Sequence, residues 1–165
     1  MNALDDLLAE FQQEAAATRL CLEAVPEQDF SWAPHPRSMT MGQLVSHIAD
    51  NPTWIESILS SPGINVDPDI FKPWVAETKA ELQHVFDKNV KHAMEQLAQS
   101  NPAVLGEMWT MKLRGKEFFS MPKGAALRSF AFSHLIHHRG QLTVYLRLRD
   151  IAVPQVYGPT ADHPM

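Results

Sequence analysis

Three histidines fall within five consecutive positions of the stretch SHLIHHRGQLTVYLRL, Ser133 to Leu148. On an α-helix four residues advance about 400°, so positions i and i+4 lie within about 40° of one another and one turn apart. His134 and His138 therefore point the same way. The stripe Leu127, Ala131, His134, His138, Gln141, Leu142, Tyr145 and Leu148 predicts that they face a helical core, with His137 displaced to its edge as an interface or supporting residue.

Two imidazoles in an apolar core need partners, because each neutral ring carries a donor and an acceptor that water does not reach. A divalent metal ion would take both acceptors at once. The spacing matches the paired histidines of helical zinc proteases, but the glutamate those enzymes place after the first histidine is Leu135 here, so a protease mechanism is not supported. A third ligand has to come from another helix, and His47 is the histidine on the inner stripe of the second helical segment. Each of these residues also has a plainer reading as a hydrogen-bonded core histidine. His35, His84, His92 and His163 lack the spacing to join them.

The elements that must position these residues are four helical segments separated by proline-rich punctuation. The first runs from Ala3 to Ala24 with Leu4, Leu7, Leu8, Phe11, Ala15, Thr18 and Leu22 on one face, and Pro26 stops it. The loop VPEQDFSWAPHPRS leads to SMTMGQLVSHIADNPTWIESIL, where Thr40 and Gln43 form a capping box. Its inward stripe is Leu44, His47, Ile48, Asn51, Ile55 and Ile58, and Pro52 kinks or breaks it. SPGINVDPDIFKP reads as a loop. The third helix is expected from Trp74 to Ala98, with Val75, Leu82, Val85, Phe86, Val90, Met94 and Leu97 apolar.

Met108 to Leu113 and Lys116 to Ser120 can pair as a short β-hairpin about Arg114 and Gly115. The fourth helix starts near Pro122 to Ala125 and continues to about Arg149, before the tail VPQVYGPTADHPM. The expected architecture is an all-α four-helix bundle with that hairpin before the last helix, one domain over residues 1–165.

The segments HIADNPTWI, HLIHHRGQLTVYLR and VPQVYGPTAD together resemble the DinB-like family of four-helix bundle proteins, which includes YfiT-like metal-dependent hydrolases and thiol transferases. The resemblance covers nearly the whole chain. It implies a divalent metal, often nickel or zinc, on His47, His134 and His138; iron and manganese are the alternative ions. It also implies an unusual order of connections and frequent homodimers.

Three histidines without an inward carboxylate leave coordination positions open, the pattern of catalytic metal sites. Such an ion can supply hydroxide from water or hold a substrate thiol as thiolate. The second option needs no protein nucleophile, which suits a chain whose one cysteine, Cys21, reads as a small core residue. Transfer of a low-molecular-weight thiol to an electrophilic small molecule is thus the leading expectation, with metal-dependent hydrolysis and a non-catalytic metal- or ligand-binding bundle as alternatives. Asp50, Asn51, Gln141 and Tyr145 are the candidate supporting residues, each with a structural alternative, and Trp32 and Trp54 could wall a pocket.

Composition narrows the partners. A net charge of −5 offers no basic surface for nucleic acid, and Arg139, Arg147 and Arg149 read as charges favouring a helix C-terminus. No stretch approaches the roughly 18 apolar residues of a membrane span, and the basic start of a secretory signal is missing, so a cytoplasmic protein is expected.

Overall fold

Helix α1 (Ala3–Ala24) opens on a capping box in which Asn2 Oδ1 accepts from the backbone of Leu4 and Asp5 while the Asp5 carboxylate accepts from Asn2 N. These contacts come from a computed structural model, which describes residues 2–165. Thr40 and Gln43 form the expected reciprocal cap on α2 (Met41–Asp50). Pro52 has no N–H to continue the ladder, so the segment breaks after Asp50 and resumes as α3 (Thr53–Ser60).

The third long helix, α4 (Lys79–Gln99), starts later than its apolar pattern suggests. Thr78 Oγ1 caps Glu81 N, and the Glu81 carboxylate accepts from Glu77 N and Trp74 Nε1, which holds residues 74–77 extended. Ala76 N donates to the buried Ser46 hydroxyl, fixing that strap across α2. Val75 consequently lies exposed rather than in the core, while Leu82, Phe86 and Leu97 are buried as expected.

The last helical run comprises α5 (Lys123–Ala126), a π-helical stretch from Leu127 to Ser133, and α6 (His134–Leu148). Helix α1 packs on α4 and α6, and α2 packs on the same two, so the consecutive helices α1 and α2 lie on opposite corners of the bundle. The loop between them therefore crosses the bundle end.

The hairpin forms from β2 (Met108–Leu113) and β3 (Lys116–Pro122). Arg114 and Gly115 both adopt positive φ, 48° and 77°, the requirement of a two-residue hairpin turn. The SPGINV stretch is not simply a loop. Gly63–Val66 forms β1, which pairs parallel with β2 and extends the hairpin to a three-stranded sheet of order β1-β2-β3. A Cβ on Gly63 would lie 2.1 Å from Thr110 O, so this close approach requires glycine. Four residues are too few to show a strand period in the sequence.

The sheet covers one end of the bundle through aromatic packing. Trp109, fully buried, meets Trp54 of α3 and Phe130 of the π stretch, and Phe119 stacks on Phe130 at 5.3 Å with nearly parallel rings.

Candidate metal centre

The His47, His134 and His138 rings converge where α2 meets the start of α6. His47 Nε2 lies 3.0 Å from His134 Nε2, which lies 2.7 Å from His138 Nε2. The α-helical turn beginning at His134 supplies the i, i+4 pair. His47 projects from the last turn of α2, whose exit is fixed by Asn51: its side chain is buried and its Nδ2 donates to Phe130 O in the π stretch at 3.0 Å. Asn51 thus couples the two segments that carry the histidines rather than contacting a ring.

Gln141 Oε1 accepts from His138 Nδ1–H at 2.7 Å, which leaves the His138 Nε2 lone pair aimed into the cluster. His134 Nε2 stands between two other ring nitrogens but has only one in-plane position, either a proton or a lone pair. It cannot satisfy both neighbours. If it donates to His138 it has no lone pair for His47; if it accepts from His47 its lone pair opposes that of His138. A cation accepting all three lone pairs removes the conflict, so the donor set fits a divalent metal. Imidazole ligands suit zinc, nickel and iron, whereas manganese favours oxygen donors, which this set of three histidines lacks.

Burial lowers all three imidazole pKa values below the ordinary 6.5, His134 to about 4. For His47 and His134 the neighbouring imidazoles add to the effect of burial. For His138 the Gln141 hydrogen bond partly opposes it. The rings are therefore neutral and ready to ligate near neutral pH.

The pair sits at the margin of the buried face of α6 rather than in its middle. The buried positions are Leu135, His138, Arg139, Leu142 and Leu146, while His134 is half-buried and Gln141 and Leu148 are exposed. The cause is Arg139, 2% exposed, whose guanidinium pairs with Glu14 at 2.6 Å and donates to Glu14 O and Thr18 Oγ1. Tyr157 of the tail closes this cluster, accepting from Arg139 and donating to Glu14 at 2.7 Å. Arg139 is thus an internal tie between α1, α6 and the tail, not a charge at a helix end. The other two arginines also have specific partners, Arg147 with Asp162 and Arg149 with Asp29.

Tyr145 packs edge-on against Trp32 and its hydroxyl donates to Met39 O, so it is a satisfied core side chain. His137 is exposed, with its ring 4.9 Å from that of His138. His92 faces Glu56 on a solvated surface. Cys21 is fully buried, and burial raises its thiol pKa, as expected of a core residue.

Two cavities reach His47. One of about 290 Å³ is lined by Asp50, Trp54, Phe71 and Trp74 among others; the second, of about 230 Å³, lies on the side of Met39 and Gln43, and both use Pro73 and Trp74. Trp54 does wall a pocket, whereas Trp32 does not line either cavity. Asp50 lies at the rim, exposed as a residue but with a carboxyl group whose pKa is raised by partial burial. It makes no hydrogen bond to an imidazole, so it does not orient the ligand rings. Neither Trp74 nor Phe71 stands out in the sequence: the apolar pattern assigns Trp74 to the start of the third helix, whereas α4 begins at Lys79, and Phe71 lies in a stretch that reads as a loop.

The DinB family matches residues 1–164. The chain belongs to the DinB family. It is 23% identical to the uncharacterized protein YrdA of Bacillus subtilis (strain 168) over 166 residues, covering 98% of this chain and 92% of that one. Its fold is similar to the crystal structure of a DinB-like protein from Bacillus cereus ATCC 10987, with a TM-score of 0.71 and 22% identity over 91% of this chain and 95% of that one. The DinB-like protein YjoA of Bacillus subtilis gives a TM-score of 0.69 and 21% identity over 97% and 99% of the respective chains. These similarities carry the fold, and no described helix is long and apolar enough to cross a membrane.

Proposed function

We propose that this DinB-family chain is a metal-dependent enzyme that transfers a low-molecular-weight thiol to an electrophilic small molecule, with His47, His134 and His138 holding a divalent ion, zinc or nickel. The observation that carries the reading is the convergence of three neutral ring nitrogens beside two cavities. Among the described residues, no cysteine or carboxylate oxygen joins the three-histidine group as a further ligand. That leaves room for an exogenous donor, as catalytic sites require.

A divalent ion bound there supplies Lewis acidity, which favours the thiolate of a thiol or the hydroxide of water at neutral pH. The chain's own residues prepare that chemistry. Gln141 holds the His138 tautomer, and the depressed imidazole pKa values keep protons off the ligating nitrogens. Trp54 and Trp74 wall the cavity at His47 and present apolar surface to a substrate there. Because Cys21 is buried in the core, the thiol has to come from a substrate.

The test uses untagged protein with elemental analysis of the parent and of His47→Ala, His134→Ala and His138→Ala. About one ion per chain, lost in each variant, is expected. The same samples are assayed for conjugation of low-molecular-weight thiols to 1-chloro-2,4-dinitrobenzene and for hydrolysis of p-nitrophenyl acetate. Metal-dependent conjugation supports the proposal. Metal-dependent ester hydrolysis alone moves the assignment to a hydrolase, and metal binding without either rate favours a non-catalytic bundle. Failure to bind any divalent ion overturns the metal reading.

A further inference from the structure

The cavity at His47 continues away from the histidines. It adjoins a second, apolar cavity of about 390 Å³, and the two share Trp54, Ile64 and Phe71 as walls. Ile70, in the outer cavity, and Phe71, where the two meet, leave 77% and 61% of their surfaces exposed, an apolar pair beside a concave surface that a ligand can cover.

The charges along this cleft are unequal. Asp67, in the outer cavity, has Arg114 at 3.7 Å, and that guanidinium also engages Asp69. Asp50, in the inner cavity, has no such compensation: among the described residues no ion pair or hydrogen bond engages its carboxylate, and burial alone perturbs it. Trp54, Phe71 and Trp74 line the same cavity. In the metal-free protein an unpaired carboxylate among aromatic side chains attracts an organic cation by charge and by cation–π contact, and repels an anion. A divalent ion on His47, which lines the same cavity, opposes the charge effect.

We propose that this cleft is the substrate arm of the three-histidine site and takes an aromatic or alkyl body bearing an ammonium group that faces Asp50. The proposal rests on the reading of the histidine cluster as the reacting end. It makes Asp50 and Phe71 specificity-determining residues: Asp50 selects the charge and Phe71 covers the apolar body.

Calorimetric titration of the full-length protein, both metal-free and zinc-loaded, tests it with three probes of one shape class: benzyltrimethylammonium, benzyl alcohol and benzenesulfonate. On the metal-free protein the ammonium probe is expected to bind at least about tenfold more tightly than the sulfonate, with the alcohol between them, and zinc is expected to narrow that preference. Asp50→Asn should abolish the charge preference, and Phe71→Ala should weaken the ammonium and alcohol probes alike, with zinc content unchanged in both variants. Equal binding of the three probes to the metal-free protein, or an unaltered preference in metal-free Asp50→Asn, overturns the proposal. Zinc content measured beside the metal-free titrations separates the two readings: failure to load zinc with the ammonium preference intact removes the metal and leaves the cleft, while full zinc loading with no preference in the metal-free protein does the reverse.

Discussion

Gln141 accepts a hydrogen bond from His138 Nδ1 at 2.7 Å, although Gln141 itself is exposed and lies outside the ligand set. The bond fixes which nitrogen of His138 carries the proton and therefore which is free to ligate. Hydrogen bonds of this kind to metal-binding histidines typically contribute 10- to 100-fold in metal affinity. Gln141→Met keeps the length of the side chain but removes the acceptor. It should weaken zinc binding by about tenfold or more, read by competition with a fluorescent chelator, without altering the melting temperature of the metal-free protein by more than a degree or two. Unchanged affinity would show that the tautomer is set by something other than Gln141.

The metal-free protein should lose stability in mildly acidic solution. The three imidazoles have folded-state pKa values below 6.5, His134 at about 4, whereas in the unfolded chain they return to the ordinary value. Between those limits the unfolded state binds more protons, so stability rises with pH. The contribution is fully present above pH 6.5 and is lost as pH falls toward 4. Across this window the melting temperature of the metal-free parent should fall more steeply with added acid than that of His134→Asn, because the variant lacks the most strongly depressed imidazole. Parallel curves would show that His134 is not held neutral by the fold.

Gly63→Ala should disrupt the sheet where it meets the cavity. The added Cβ would sit 2.1 Å from Thr110 O, a backbone atom that can move only if β1 separates from β2. A cost of about 1–3 kcal/mol is expected from overpacking at such a site, measured by urea denaturation. Ile64, a shared wall of the two cleft cavities, follows Gly63 directly, so probe binding should weaken while metal content stays at the parent level.

Much of this site could be read in the sequence because its signals are local. The i, i+4 spacing of His134 and His138, the Thr40–Gln43 box before His47 and the Pro52 break each depend on residues within about a turn of one another. The Arg114–Gly115 turn is equally local. Arg139 misled for the opposite reason: a charge in a helix reads as solvent-facing, and its compensating partner Glu14 is 125 residues away. Placing Arg139 outside shifts the inferred core stripe toward Gln141 and Leu148, both of which are exposed. Strand β1 owes its existence to a parallel pairing with β2 that leaves no period in the chain, and the strap carrying Trp74 is held extended by Glu81 and Ser46 against an apolar pattern that reads as helix.

The Arg139 cluster yields a prediction of a different kind, because its members are far from the histidine nitrogens in role although Arg139 adjoins His138 in sequence. Arg139→Met preserves an apolar stem but leaves the Glu14 carboxylate buried without its cation. Loss of one partner from a buried pair typically costs about 3–5 kcal/mol, most of it the penalty on the group left behind. Glu14→Gln in the same background removes that charge, so the double variant should recover a large part of the loss in urea denaturation. It should not recover all of it, since Tyr157 would lose Arg139 as its donor and ring partner, and the tail would be held less firmly against α1. Zinc stoichiometry should remain at the parent value throughout, because His47, His134 and His138 keep their elements. If the double variant is no more stable than Arg139→Met, the destabilisation arises from lost packing or tail anchoring rather than from an uncompensated Glu14.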